Sequence, residues 1–258
     1  MQLQVDGRRV IVTAGAAGIG REITRTLREA GARIHACDID AAALAKLKED
    51  LPGVTTSLCD VADPAAVDAM FRESQFALGG LDALVNNAGI AGPTGPIESL
   101  DIGAWQKTLA VNLSGQFYCA RLAAPLLKAA GGGAIVNMSS AAGRFGYPLR
   151  SPYAASKWGV VGLSHTLAAE LGPFGIRSNA ILPGPVAGPR IEAVIRAKAE
   201  ARGVEFQAMQ DTYLELTALH SFVGAGDVAA MVLYLISDAG RLISGQALGV
   251  DAGTLAIR

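Results

Sequence analysis

Two residues with proton-transfer chemistry, Tyr153 and Lys157, stand four positions apart in the segment YAASKWGVVGLSHTLAAEL. The pattern of that segment predicts a helix, so both side chains lie on one face about one turn apart. A free tyrosine has a pKa near 10 and is a poor base at neutral pH, but a nearby ammonium favours the phenolate and lowers its pKa. The pair therefore indicates a general acid/base site, although the spacing Tyr-x-x-x-Lys is also common by chance.

A glycine-rich stretch, VTAGAAGIG at residues 12–20, lies between an apolar run and a helical pattern. Gly15, Gly18 and Gly20 would let the backbone approach a dinucleotide pyrophosphate, which the free amides and positive end of the helix would face. The first glycine comes one place later than the usual spacing. A tight strand-to-helix turn is the alternative interpretation of such a lone motif.

An acidic residue at the end of the second predicted strand favours the nucleotide over the plain turn. Asp38 lies 18 residues after Gly20, about where a carboxylate would meet the adenosine ribose hydroxyls. Either Asp38 or Asp40 could instead cap the helix that begins at Ala41, and for Asp40 we prefer that role.

These residues belong to a chain in which short apolar runs alternate with longer helical patterns. Strict alternation, with strands that are apolar almost throughout, predicts a parallel sheet covered by helices on both faces. We predict an α/β fold, a single-domain doubly wound (Rossmann) fold over residues 1–258 with a seven-stranded parallel sheet and ligands at the carboxyl ends of its strands. The predicted strands are residues 8–13, 32–37, 54–59, 81–86, 134–139, 176–182 and 246–251.

One segment breaks the alternation, from Pro183 to about His220. It begins PGPVAGP and continues as a polar helical run through Arg190, Lys198 and Asp211. An insertion of that length after a strand favours a substrate-binding flap, at about 184–222, over a second domain.

Composition excludes several classes of partner. The formal net charge is -1 and 17% of the residues are charged, so no basic surface points to nucleic acid or an anionic membrane, and we expect a small-molecule partner. No apolar run approaches a membrane span and the N-terminus lacks a signal-peptide core, so we expect a cytoplasmic protein. The cysteines at 37, 59 and 119 lack metal-ligand spacing and are expected to be buried free thiols, with no metal site.

Further motifs follow in order: CDVAD (59–63), NNAG (86–89), Asn112 in VNLSG, NMSSAAG (137–143), Tyr153-x-x-Ser156-Lys157, Pro183-Gly184 and SGQALGVDAG near the C-terminus. In this order and spacing, over essentially the whole chain, they resemble the classical short-chain dehydrogenase/reductase family. The resemblance implies a catalytic tetrad of Asn112, Ser140, Tyr153 and Lys157. Ser140 is chosen over Ser139 because it lies 13 residues before Tyr153, the family spacing.

The resemblance also implies roles within the tetrad and around a bound NAD. Ser140 would donate to the substrate oxygen and Asn112 would hold a water in a proton relay, with a polar helix residue as the alternative for Asn112. Asp60 would contact the adenine beside Val61, and the backbone of Val186 would meet the nicotinamide carboxamide. The implied cofactor-binding residues are Gly15, Gly18, Ile19, Gly20, Asp38, Asp60, Val61, Asn87, Ala88, Gly89, Tyr153, Lys157, Pro183, Gly184 and Val186.

Three positions depart from the family pattern. Ala14 stands where the first glycine is usual, and Gly188 where a threonine often binds the carboxamide or pyrophosphate. Ala252 replaces a frequent glycine without obvious chemical consequence. We therefore expect the adenine-side contacts to follow the family more closely than the nicotinamide-side ones.

The sequence predicts an NAD-dependent oxidoreductase that transfers a hydride between a nicotinamide cofactor and a secondary alcohol or ketone. One alternative is an NADPH-dependent ketoreductase resembling 3-oxoacyl carrier-protein reductases, which Asp38 disfavours because neither Ala17 nor Ile39 supplies a cation for a 2'-phosphate. The other is a catalytically silent dinucleotide-sensing protein.

Three further expectations concern the substrate and the assembly. Arg150 or Arg190 could meet an anionic or strongly polar substrate group, with solvation at the surface as the alternative. His220 could line the substrate pocket. Apolar residues around more than one face of the Tyr153 helix predict an interface, and family precedent makes it that of a homotetramer; they are Trp158, Val160, Val161, Leu163, Leu167, Ala168 and Leu171.

Overall fold

The computed structural model describes residues 3 and 5–255 of the chain. The outermost residues of the predicted 1–258 domain, including part of the N-terminus considered as a signal peptide, lie outside the described residues. The strands are β1 (Arg9–Thr13), β2 (Arg33–Asp38), β3 (Thr55–Leu58), β4 (Ala83–Asn86), β5 (Gly133–Met138), β6 (Ile176–Pro183) and β7 (Ala247–Val250). The helices are α1 (Gly18–Glu29), α2 (Ala41–Asp50), α3 (Pro64–Leu78), α4 (Ile102–Leu109), α5 (Gly115–Ala129), α6 (Ser151–Leu171), α7 (Pro189–Arg202), α8 (Phe206–Glu215) and α9 (Ala225–Ile236).

All seven predicted strands are present and form one parallel sheet in the order β3-β2-β1-β4-β5-β6-β7. Successive residues of each strand face opposite layers of helices. On β1, Val10 and Val12 pack toward α1, α2 and α9, whereas Ile11 packs toward α3 and α5. The predicted doubly wound Rossmann fold is confirmed, and its strand order reverses between β1 and β4, where such folds bind ligands.

The segment before β5 contains two helices, α4 and α5, joined by a five-residue π-helix at Ala110–Ser114. The wider turn points Asn112 into the protein, where it is fully buried. A π-helix inside an α-helical stretch is frequent at functional sites, and apolar periodicity gives no signal for it.

The insertion after β6 forms two helices, α7 and α8, with a small core of their own around Ile195, Met209 and Tyr213. The predicted polar helical run is present, and within it Lys198 is fully buried. No helix in the described part of the chain is long and apolar enough to cross a membrane. The three cysteines are buried and free, as predicted.

Candidate active site

A cavity of about 860 Å³ runs along the carboxyl ends of the strands and continues under the flap. It brings together residues from the turns after β1, β2, β3, β4, β5 and β6. Gly15 and Asn112 are the two predicted site residues that do not line it. The predicted residues in its wall are Gly18, Ile19, Gly20, Asp38, Asp60, Val61, Asn87, Ala88, Gly89, Ser140, Tyr153, Lys157, Pro183, Gly184 and Val186.

The turn between β1 and α1 is tight enough to require glycine at two places. A Cβ on Gly20 would lie 1.9 Å from the carbonyl oxygen of Ala14, and one on Gly15 would lie 2.9 Å from the Cβ of Ala36. The Gly15 amide donates to the carbonyl of Cys37 at 2.9 Å, so this residue ties the turn to β2 instead of facing the cavity. At Gly18, which has φ +52°, a Cβ would meet nothing within 4 Å.

The N-terminus of α1 opens onto the cavity without a competing acid. Ala17 precedes the helix and provides no capping side chain, and the first turn contains no Asp or Glu. The first amides of a helix need an acceptor, and the helix dipole favours an anion there. The turn, with open space beside Gly18, therefore fits the phosphates of a dinucleotide.

Asp38, at the end of β2, lines the cavity with its carboxylate held by three backbone amides. Its two oxygens accept from Ala16 at 3.2 Å, Ile39 at 2.8 Å and Asp40 at 3.3 Å. Asp40 accepts from the amides of residues 42 and 43, which confirms the predicted cap of α2. Sequence reasoning missed Arg21, a cation in the same wall, whose guanidinium is paired with Asp50 at 2.7 Å.

The loop after β4 is anchored by its two asparagines. Asn86 is buried and its amide donates to Asn137 Oδ1 at 2.9 Å, which ties β4 to β5. The side-chain amide of Asn87 donates to the carbonyls of Thr13 at 3.0 Å and Ala14 at 3.1 Å. These bonds hold the loop against the β1 turn, so Ala88 and Gly89 form a fixed part of the cavity wall.

Asn112 lies behind this wall. Its Oδ1 accepts from the amide of Ile90 at 2.7 Å, and its Nδ2 donates to the Ile90 carbonyl and to Ser156 Oγ, both at 3.0 Å. A Cβ on Gly89 would lie 3.2 Å from Asn112 Oδ1 and 3.3 Å from Lys157 Nζ. Asn112 therefore joins the loop after β4 to α6 next to the lysine.

Lys157 is buried, and its Nζ donates to the carbonyl of Met138 at 2.8 Å. The Nζ lies 5.7 Å from the centre of the Tyr153 ring, as the four-residue spacing on α6 predicts. Burial, with a smaller contribution from the charge of Arg190, lowers the pKa of Lys157 to about 7. The charge beside Tyr153 can therefore change near neutral pH, which local sequence patterns do not indicate.

The two serines after β5 differ in what their hydroxyls do. Ser139 Oγ donates to the carbonyl of Lys157 at 2.8 Å and is buried. Ser140 is partly exposed in the cavity wall, and its Oγ accepts from the amide of Ala142 at 3.2 Å. The Ser140 hydroxyl hydrogen is therefore available to a ligand.

All three positions that depart from the family pattern have a positive backbone φ angle. Ala14 has φ +48° and Ala252 has φ +52°, the left-handed region that favours glycine. Gly188 has φ +135°, which a threonine would adopt only with strain. The expectation that Ala252 has no chemical consequence stands, but its backbone conformation is a cost that sequence alone did not reveal.

The three residues considered as substrate contacts, Arg150, Arg190 and His220, lie in different environments. Arg190 is exposed and its guanidinium donates to the carbonyl of Gly89. His220 is exposed and does not line the cavity wall, so the possibility that it lines the substrate pocket gains no support. Arg150 is only 2% exposed and lies in the wall beside Tyr147 and Tyr213, two residues that sequence reasoning missed.

The chain is similar to proteins of known family. A family model described as enoyl-(acyl carrier protein) reductase matches residues 14–254. The chain is 35% identical to a 2-keto-3-deoxy-L-fuconate dehydrogenase of Xanthomonas campestris, covering 97% of this chain and 81% of that protein. It is 38% identical to a D-threitol dehydrogenase of Mycolicibacterium smegmatis, covering 97% and 94%. The crystal structure of carveol dehydrogenase from Mycobacterium avium in complex with NAD matches with a TM-score of 0.91 and 31% identity, covering 98% of this chain and 99% of that one.

Proposed function

The chain belongs to the classical short-chain dehydrogenase/reductase family and is an oxidoreductase of that family; from this premise we propose that it uses NAD to interconvert a secondary alcohol and its ketone, with Tyr153 as acid/base. The observation that supports this most is the single cavity that joins Ser140, Tyr153 and Lys157 to the uncapped N-terminus of α1.

The cofactor would extend from the Asp38 side of the cavity to Tyr153. The amides at the start of α1 would hold its phosphates, Asp38 the adenosine ribose and Asp60 the adenine edge, while Pro183 and Gly184 would border the nicotinamide. When bound, this group supplies the acceptor or donor of the hydride. Asp38 favours NAD over NADP, because a carboxylate about 4 Å from a 2'-phosphate is repelled by roughly 4 kcal/mol at an effective dielectric near 20, an upper value for a solvent-facing site.

The protein residues would move the proton. In alcohol oxidation Tyr153 accepts the substrate hydroxyl proton, and in ketone reduction it returns one. A protonated Lys157 next to it favours the phenolate. Ser140 donates a hydrogen bond to the substrate oxygen as charge develops there. Asn112 would position Lys157 and the loop after β4, in addition to the water-holding role that the family implies.

We also propose a homotetramer with α6 in an interface. Trp158 on α6 is 52% exposed and Phe117 on α5 is 48% exposed, which is costly for large apolar side chains left in water. A monomeric mass by light scattering at micromolar concentration would contradict this. The cytoplasmic location stays a prediction from the sequence.

The function is tested by isothermal titration with NAD and NADP and by a turnover screen of sugars, polyols, hydroxy acids and acyl esters with each cofactor. We expect tighter NAD binding and NAD-dependent oxidation of at least one secondary alcohol. A higher kcat/KM with NADP(H) would favour the carrier-protein reductase alternative. Tight binding of NAD with no turnover of any substrate would favour the silent sensor.

A further inference from the structure

Arg150, immediately before α6, is a buried cation with unused hydrogen-bonding capacity. Its Nη2 donates to the carbonyl of Ala91 at 2.5 Å, whereas its Nε and Nη1 are buried and have no hydrogen-bond partner among the described residues. Within residues 3 and 5–255 no carboxylate forms an ion pair with it. A buried charge without a counter-ion is costly, and buried N–H groups without acceptors add to that cost.

The groups around the Arg150 guanidinium compensate its positive charge only in part. Its carbon lies 5.2 Å from the ring centres of both Tyr147 and Tyr153, so it receives two cation–π contacts. A second buried cation, Lys198, lies 4.2 Å from the centre of the Tyr147 ring. The flap encloses this end of the cavity through a 2.7 Å bond between the hydroxyls of Tyr147 and Tyr213. This end of the cavity is therefore enclosed and lined with tyrosine hydroxyl groups around the Arg150 guanidinium.

The position of Arg150 relative to Tyr153 limits the size of a matching ligand. A group bound at the guanidinium and a hydroxyl bound at the Tyr153 phenol would be separated by only a few bonds, because the guanidinium carbon is 5.2 Å from that ring. Arg190, the other candidate cation, is exposed and already bonded to Gly89. Of the two arginines, Arg150 is therefore the better candidate to bind an anionic group of the substrate.

We propose that Arg150 determines substrate specificity and that the substrate is a short hydroxy acid, or the matching oxo acid, whose carboxylate binds Arg150. This inference rests on the proposed function. In oxidation the carbinol C–H bond breaks and its hydride reduces NAD⁺ to NADH, while the hydroxyl proton passes to Tyr153 and the carboxylate keeps its charge. The substrate carboxylate would supply the counter-ion that the described residues do not provide, whereas an uncharged alcohol would leave the guanidinium uncompensated.

The test compares 2- and 3-hydroxybutyrate with the corresponding uncharged amides, each with saturating NAD. The parent protein should show a kcat/KM at least ten-fold higher for one of the acids than for its amide. Arg150→Met should lower the value for the acid by about 10- to 100-fold, mainly through KM, with little effect on the amide. The control is Arg144→Met, which removes an exposed arginine of the same loop outside the cavity and should change neither value.

A binding measurement separates failure of this inference from failure of the proposed function. Butyrate, which has no carbinol to oxidise, should bind the NAD-loaded parent at least ten-fold more tightly than butyramide, even if no alcohol is turned over. Arg150→Met should abolish that difference, and Arg150→Gln serves if the Met variant does not fold. Equal binding of butyrate and butyramide by the parent, or an acid preference that survives loss of the guanidinium, would overturn the inference.

Discussion

The two ends of the cavity differ in how their charged side chains are satisfied. At the Asp38 end, formed by the β1 turn, Asp38 and Asp60, the partly exposed Asp38 carboxylate accepts from the amides of Ala16 and Ile39, and the exposed Asp60 carboxylate accepts from the amide of Ala62. At the Arg150 end, formed by Arg150, Tyr147 and Tyr213, a guanidinium is buried with two nitrogens unpartnered. At the Asp38 end the carboxylates are already hydrogen-bonded and the uncapped amides at the start of α1 are left for a ligand, whereas at the Arg150 end a side-chain charge is left for a ligand to compensate. We infer that the first holds a constant ligand and the second selects a variable one.

Tyr153→Phe should have the largest effect of these substitutions. It should impair proton transfer to and from the substrate while leaving NAD binding intact. The change removes one hydroxyl, so the fold and NAD affinity should remain near those of the parent. The kcat should fall by about 10² to 10⁴, the usual contribution of a general acid/base. Stopped-flow turnover and NAD titration measure the two quantities. Near-parental kcat would show that another residue is the base.

Lys157→Met should remove a pH dependence of stability. Above pH 10.5 a lysine is neutral in the folded and unfolded chain, but as the pH falls toward about 7 only the unfolded chain takes up the proton. The free energy of unfolding of the cofactor-free parent should therefore decrease over that range, by a few kcal/mol. Urea unfolding at pH 7 and pH 9.5 measures the difference between parent and variant. Lys107→Met, at an exposed lysine of the cavity wall, is the control and should keep the parental slope.

Asp38→Ala should relax cofactor selection while leaving the Arg150 end unchanged. Without the carboxylate, the ratio of kcat/KM for NAD to that for NADP should fall by about 10- to 100-fold, less at high salt. Asp40→Ala is a matched control, because it loses only the α2 cap. That should cost about 1 kcal/mol of stability and keep the ratio. An unchanged ratio in Asp38→Ala would contradict the assignment.

Ala14→Gly should have the smallest effect. A left-handed alanine costs about 1 to 2 kcal/mol, whereas glycine costs about 0.5 to 1 kcal/mol through the entropy of the unfolded chain. The variant should thus be as stable as the parent or up to about 1 kcal/mol more stable by thermal unfolding. Ala16→Gly, two residues later and outside the left-handed region, should be destabilised. A clear loss of stability in Ala14→Gly would mean that its methyl group makes contacts that outweigh the backbone strain.

The contrast between the Asp38 end and the Arg150 end of the cavity also explains which features the sequence could predict. The Asp38 end is built from short contiguous stretches, so the strand, the turn and the cap at Asp40 follow from local patterns. Arg150 lies three residues before Tyr153, but it shares the cavity wall with Tyr213 of a flap helix that begins more than fifty residues later. Lys198 lies in a polar-looking run and is buried only because α7 packs against Tyr147 and α8. Charge and hydropathy along the chain do not report such long-range packing.

The π-helix at Ala110–Ser114 fixes chain length as well as geometry. Its wide turn takes up about one residue more than an α-helical turn, so deleting one residue there would restore continuous α-helical winding and leave α5 close to its present orientation. Cys119, Ala123 and Leu127, all buried against the sheet, would keep that packing. The inward bulge that carries Asn112 would be lost, so a one-residue deletion in this segment should spare the fold and damage the contacts that Asn112 makes behind the cavity.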